Sequence, residues 1–563
     1  MFSSSSAGGR PAAARAPQTR STIASMTDDI ALDRRTLLRA GLAVGAGAAA
    51  TLVAPPGAFA SLGTASLDNR APVGLPGLVR GGRPILSHGV QSGDVSLRGA
   101  VLWTRSDRPA RMVVELSRDP EFRHGVRRLR GPVLTPRTDL TGRVRLRGLP
   151  RGAELHYRVR AVDLDDPRRS SQPLTGRLRT PGHRGEDVSF LWSGDIVGQG
   201  WGINPAFGGF RAASAMLELD PDFFLCSGDT VYSDNPLVET VPLPDGTTWR
   251  NIVTPEKSKV AETLREFRGQ FKYNLLADNW REFLARTPQV NQWDDHEVHN
   301  NWYPGQILDD ARYTEKRVDV LAARARRSWG EYVPTLPSVA DPHGRIYRVV
   351  HYGPLLDVFV LDMRTNKDPN SPNRQALPHE GVLGDAQVAW LERGLRRSRA
   401  LWKVIANDLP LGLIVPDGAV NQEGLAQGDP GGPLGREGEV ARILSFLKRH
   451  GIRNHVWLTA DVHYTAAHRY TPQAAFFKDF EPFWEFVSGP LNAGAFGPNA
   501  LDVTFGPEAR FVETAPHPNT SPAEGSQFFG EVAIEGGSGR MTVRLRGVDG
   551  SVRYQKTLEP APR

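Results

Sequence analysis

The stretches DVSFLWSGD (Asp187 to Asp195) and DFFLCSGDTVY (Asp222 to Tyr232) each run from a short apolar block into Gly-Asp. Such blocks read as buried strands, and the Gly-Asp that follows marks a turn presenting a carboxylate at the strand end. Three more stretches have the same form: LLDVFVLDMR (Leu355 to Arg364), WKVIAND (Trp402 to Asp408) and HVWLTADVH (His455 to His463). Helical patterns fill the intervals at 262–284, 317–332 and 385–399. Alternating strands and helices with acids at strand ends predict an α/β layered domain whose ligands gather outside the strand carboxyl ends. The domain is expected to span 186–563, closed by a final hairpin at 530–558 that turns at Asp549-Gly550.

Upstream, residues 72–181 carry short β-rich runs separated by turn residues: AVLWT (Ala100 to Thr104), RMVVELS (Arg111 to Ser117), GRVRLRGL (Gly142 to Leu149) and LHYRVRAV (Leu155 to Val162). This spacing predicts a helix-free β-sandwich of the immunoglobulin or fibronectin type, serving to pack and to frame substrate. The linker is expected near 181–185.

Residues 1–60 read as an address. Arg34-Arg35 precede Leu37-Leu38 and a Gly/Ala-rich apolar stretch ending in Ala58-Phe59-Ala60, an A-x-A cleavage pattern. Together they look like a twin-arginine export signal, which implies the export machinery as a partner and a periplasmic or extracellular destination. Gly41, Gly45, Gly47, Pro55 and Pro56 suit a membrane helix poorly, and the absence of a following cysteine excludes a lipoprotein anchor. Residues 1–25 resemble no part of such a signal, which makes Met26 a candidate start. The 563 residues are 39% hydrophobic and 23% charged, which excludes a disordered chain or a multi-span membrane protein. Six arginines against three aspartates place +3 of the formal +7 in the first sixty residues, so no nucleic-acid scaffold role is expected. A single cysteine, Cys226, leaves Asp, Asn, His and Tyr to hold any metal; inside DFFLCSGD it reads as a buried structural thiol.

Five strand or loop ends present polar groups in order: Ser193-Gly194-Asp195, Gly228-Asp229-Thr230-Val231-Tyr232, Trp293-Asp294-Asp295-His296-Glu297, Ala406-Asn407-Asp408 and Asp461-Val462-His463. One such Asp is ordinarily a turn former; several converging carboxylates repel unless cations neutralise them. The loop Gly198 to Gly202 lacks G-x-G-x-x-G spacing and reads as room for substrate to approach. Arg324, Arg326 and Arg327 read as a solvated helix face.

The ordered set resembles the calcineurin-like metallophosphoesterases, with the GDxxY form of the purple acid phosphatase branch. WDDHE, DVH, HGVQSGD (His88 to Asp94) and LWTR (Leu102 to Arg105) narrow the resemblance to the PhoD-type alkaline phosphatases. It implies an α/β/β/α layered catalytic domain behind the β-sandwich. It also implies that Asp195, Asp229, Tyr232 and His463 hold Fe³⁺, with Asp229 bridging to a second ion on Asp295, Asp461 and Asn407. Hard oxygen donors there suit Ca²⁺. His296 is then the group that assists the leaving oxygen while a metal-activated hydroxide attacks a phosphate ester. PhoD-type enzymes carry Ser-Cys-Gln where this chain has Ser193-Gly194-Asp195, so a carboxylate replaces the thiolate. The implied activity is phosphatase or phosphodiesterase. A phospholipase D-like diesterase is the alternative, and a non-catalytic envelope binding protein lies outside the class.

Overall fold

The computed structural model describes residues 82–97, 99–377 and 381–561; the export reading at 1–60 and the Met26 start lie outside the described residues. Two large sheets dominate. The first has nine strands, running from edge to edge through Val552–Leu558, Met541–Gly547, Phe528–Ile534, Val188–Ser193, Phe223–Cys226, Gln289–Asn291, Val90–Ser96, Gly99–Arg105 and Thr141–Arg147. The second has seven: Arg348–Tyr352, Leu356–Val360, Trp402–Ala406, His455–Thr459, Phe483–Val487, Thr465–Tyr470 and Pro507–Glu513.

Phe190, Trp192, Phe223, Leu225 and Val290 of the first sheet share one buried cluster with Val358, Val404, Val456 and Phe486 of the second. Strand residues alternate faces. Accordingly Leu191 and Phe224 turn the other way, into a cluster with Phe267, Phe283 and Trp329 from the helices Leu264–Asn274, Asp278–Arg286 and Val318–Tyr332. On the far side Phe359, Ile405 and Trp457 meet Leu391 and Leu444 from the helices Asp385–Arg397 and Glu437–Arg449. The result is helices, sheet, sheet, helices: the α/β layering that the strand-helix alternation predicts, in the two-sheet form that the family resemblance implies.

Several expectations need correction. The pattern at 262–284 is two helices broken at Leu275–Ala277. The final element is a three-stranded meander, Phe528–Ile534, Met541–Gly547 and Val552–Leu558, and it extends the first sheet beyond Val188–Ser193. The β-rich segment contains a 3₁₀ turn at Pro136–Thr138. Arg326 is buried rather than solvated: it lies on the packed side of its helix and donates to the Asp341 and Gly344 carbonyls at 2.9 and 3.2 Å.

The β-sandwich is present, with a second role. Arg127–Leu134, Ala110–Ser117, Glu154–Asp163 and Leu174–Arg179 form a four-stranded sheet. Its Met112, Val114 and Tyr157 share a buried cluster with Val90, Leu102 and Leu146 from Val90–Ser96, Gly99–Arg105 and Thr141–Arg147. Those three strands also belong to the nine-stranded sheet, because Val90–Ser96 runs parallel to Gln289–Asn291 with Gly93 opposite Gln289. Asp94, at the end of HGVQSGD, ties this junction. Its buried carboxylate accepts hydrogen bonds from Arg348 Nη2 at 2.7 Å, Thr335 Oγ1 at 2.6 Å and Leu336 N at 2.8 Å. Replacing Asp94 with Ala strands the Arg348 guanidinium, a loss of ~3–5 kcal/mol for a broken buried pair. Urea unfolding followed by tryptophan fluorescence should register it; an unchanged midpoint would show that the junction does not depend on Asp94.

Candidate metal centre

Every acidic ligand candidate sits just past the carboxyl end of a strand. Val188–Ser193, Phe223–Cys226 and Gln289–Asn291 run parallel and lead to Asp195, Asp229 and Asp295. Trp402–Ala406 and His455–Thr459, parallel in the second sheet, lead to Asn407 and to Asp461 and His463. Asp195, Asp229, Asp461 and His463 all have left-handed backbones, with φ of 61°, 46°, 66° and 58°. Such conformations cost ~1–3 kcal/mol each in a residue with a side chain and persist only where the surroundings enforce them.

Asp195, Asp229 and His463 each bring a ligand atom within 4.8 Å of the other two. Tyr232 joins them, its Oη 2.8 Å from His463 Nε2. His463 Nδ1 meets the Gly494 carbonyl, so that nitrogen carries the proton and Nε2 faces the cluster, 3.4 Å from Asp195 Oδ1. Both carboxylate oxygens of Asp195 are buried without a hydrogen-bond partner among the described residues. Glycine makes room here: a Cβ on Gly489 would stand 2.1 Å from Asp195 Oδ2, and one on Gly198 would stand 2.5 Å from the Tyr232 ring. A Cβ at Gly194, where the resembled family has its thiolate, would lie 3.0 Å from the Gly228 carbonyl oxygen.

A second grouping adjoins the first. Asp229, Asp295 and His296 satisfy the same 4.8 Å criterion, as do Asp294, Asp295 and Asp461. Asn407 is fully buried; its Nδ2 donates to the Leu409 carbonyl at 2.6 Å, and its Oδ1 has no hydrogen-bond partner among the described residues. All seven ligand candidates thus follow strand ends of the two sheets, and converging carboxylates together with the partnerless oxygens of Asp195 and Asn407 fit metal ions.

The sequence reading missed the cation already built in. Arg364, four residues past Leu356–Val360, is wholly buried and pairs with Asp294 and Glu423, with Asp408 at 3.3 Å and Asp461 at 3.5 Å. Only the closing arginine of LLDVFVLDMR hinted at it. Also missed was Asp234, five residues past Asp229, whose Oδ1 lies 2.7 Å from His296 Nδ1 while its Oδ2 accepts from Asn300 N at 2.9 Å. His296 stacks on Tyr232 with ring centroids 4.1 Å apart, and its backbone N donates to Asp229 Oδ1 at 3.1 Å. It opens onto a cleft of about 730 Å³ shared with Gln199, Asn235 and Arg312. Cys226 plays no part: it is buried against Gly228 and Thr230, and burial pushes its thiol up to about 12.

Electrostatics records the crowding. Burial, reinforced by neighbouring carboxylates, holds Asp195, Asp229, Asp408 and Asp461 well above the usual carboxylate range. Burial likewise raises Glu297 to about 7. Burial alone would lower the His296 imidazole, but Asp234 and Asp295 outweigh it and raise the group to about 9.

A two-sheet α/β/β/α fold with carboxylates, an amide, a tyrosine and a histidine gathered at its strand ends defines a metallophosphoesterase-type architecture. A PhoD-like phosphatase family model matches residues 190–545 and a model for the N-terminal domain of such phosphatases matches 76–182, and the chain belongs to the PhoD-like phosphatase family. Alkaline phosphatase D of Bacillus subtilis (strain 168) is 27% identical over 398 residues, covering 67% of this chain and 64% of that protein's length. The structure of PhoD superposes with a TM-score of 0.66 at 21% identity, covering 85% of this chain and 91% of that one. A purple acid phosphatase from yellow lupin (Lupinus luteus) seeds superposes with a TM-score of 0.50 at 12% identity, covering 85% and 74%. These two likenesses are of fold.

Carboxyls whose folded-state titration is raised favour the fold when protonated, so their contribution is present at low pH and is lost as pH rises. Protein dialysed free of metal should therefore melt at progressively lower temperature from about pH 3.8, the ordinary Asp value, through about 7, where Glu297 titrates. Metal-loaded protein should not share that decline. Parallel calorimetric profiles for the two forms would show that the carboxylates do not need cations.

Proposed function

We propose that the chain is an exported, metal-dependent phosphoric ester hydrolase. In this reading Asp195, Asp229, Tyr232 and His463 hold Fe³⁺, and Asp229, Asp295, Asn407 and Asp461 hold Ca²⁺. Phenolate, carboxylate and imidazole suit a ferric ion, and an all-oxygen set suits calcium. The observation that carries the reading is the set of buried, partnerless oxygens on Asp195 and Asn407, each just past a strand end. Bound there, the cations would supply Lewis acidity for phosphoryl oxygens and would acidify a water.

The protein's own part centres on His296. Asp234 holds Nδ1, which fixes the ring and leaves Nε2 toward the cleft, 4.0 Å from Asp295 Oδ1. The Asp234 carboxylate at Nδ1 favours the protonated ring, from which Nε2 can pass a proton to a departing ester oxygen. Asp229 holds the His296 backbone and, with metals bound, would be a ligand shared by both sites, so one carboxylate would set both the proton donor and the metals.

Export is read from residues 28–60. Among the described residues no helix is long and apolar enough to cross a membrane.

The test is purified protein assayed on aryl phosphate mono- and diesters, with metals quantified and the visible spectrum recorded. A Tyr232 to Fe³⁺ bond should give a charge-transfer band that disappears in Tyr232→Phe; a colourless, iron-free protein with full activity would overturn the first site. His296→Ala should slow turnover by ~10²–10⁴-fold with metal content intact. Loss of metal together with turnover would make His296 a ligand or a structural group.

A further inference from the structure

The loop that follows Asp195 holds a side-chain amide whose every other polar atom is spoken for. Its backbone is left-handed at Val197, Gln199 and Gly200, with φ of 71°, 53° and 95°. A positive φ is exceptional for a β-branched residue such as Val197, and this loop pays for it with dense tethering. Gln199 N donates to Asn235 Oδ1 at 2.8 Å, and Gln199 O accepts from Asn519 Nδ2 at 3.2 Å. Asn519 is itself held by Trp201 Nε1 at 2.9 Å. Within the side chain, Oε1 accepts from Gly494 N at 3.3 Å, while the Gly494 carbonyl meets His463 Nδ1.

Backbone and Oε1 are thereby fixed, and Nε2 makes no hydrogen bond to the described residues. The preceding Gly198 lies against the Tyr232 ring, which stacks on His296. Gln199 borders the same cleft as His296 and Asn235. A tethered, neutral amide bordering the cleft onto which His296 opens is suited to an anion carried in by cations, because its N–H stabilises negative oxygen without adding charge.

Resting on the hydrolase reading above, we propose that Gln199 Nε2 is a catalytic contact that donates a hydrogen bond to an oxygen of the phosphoryl group bound between His296 and the metal ligands. Gln199→Glu is the discriminating variant: it keeps an oxygen for Gly494 N and replaces the donor with a carboxylate oxygen facing the anion.

Metal-loaded wild type, Gln199→Glu and Gln199→Ala would be compared by kcat/KM on an aryl phosphate, by inorganic phosphate binding in a calorimeter, and by metal content and visible spectrum. The expected result is a fall of ~100-fold in kcat/KM for Gln199→Glu and a smaller fall for Gln199→Ala, in line with removal of one preorganised donor. Phosphate affinity should fall at least about tenfold in both, since each 1.4 kcal/mol is tenfold, with metal content and spectrum unchanged. Phosphate affinity equal to wild type in Gln199→Glu would overturn the contact. So would loss of metal or of the band, which would make Gln199 a support for His463 acting through Gly494. Wild type that binds phosphate through Gln199 without hydrolysing esters would sink the hydrolase reading and leave the contact standing.

Discussion

Carboxylates packed beside one another out of water cannot all remain charged unless positive charge is placed among them. Asp195, Asp229, Asp294, Asp295, Asp408 and Asp461 meet at the strand ends, and the chain answers in two ways. Behind the site it supplies a permanent cation, Arg364, wholly buried among Asp294, Asp408, Glu423 and Asp461. Elsewhere, the carboxylate oxygens of Asp195 and Oδ1 of Asn407 stay without a hydrogen-bond partner among the described residues. A buried ion pair of the Arg364 kind gives little net stability after desolvation; removing one member is what is costly. Its value here is positional, since one planar guanidinium fixes acids from three separate loops.

The two sheets divide the labour. The first brings Asp195, Asp229, Tyr232, Asp295 and His296; the second brings Asn407, Asp461 and His463. Neither sheet holds all of the candidate residues, so the spacing between the sheets governs how they meet, and that spacing is set by a close-packed layer of Phe190, Trp192, Val358, Val404 and Phe486. The left-handed ligand residues fit the same logic. Strain at four positions is sustained by a rigid core on one side and by glycines at 198 and 489 that let the backbone close on the other.

Much of this was legible in the sequence because strand ends are local. A short apolar run that stops at Gly-Asp or Asn-Asp announces both the strand and its polar terminus, and so the ligand candidates could be named in order. Arg364 and Asp234 were not legible for the converse reason: their meaning lies in partners 70 and 62 residues away, Asp294 and His296. The break at Leu275–Ala277 was hidden by a continuous helical periodicity that tertiary packing interrupts. The terminal hairpin had its turn at Asp549-Gly550 and its last strand, Val552–Leu558, where expected; what was missed is a second turn at 535–540 that divides the first arm into Phe528–Ile534 and Met541–Gly547. Arg326 looked like surface because composition does not tell which side of a helix a backbone carbonyl will approach.

The nine-stranded sheet carries a last implication. The strand Val90–Ser96 is hydrogen-bonded neighbour to Gln289–Asn291, the short strand that delivers Asp294, Asp295 and His296. Without the β-module that short strand would become a bare border, open to pairing with another chain. The seam visible along the polypeptide therefore has no counterpart across the hydrogen bonds, and removing the module would expose the strand that leads to Asp295 and His296.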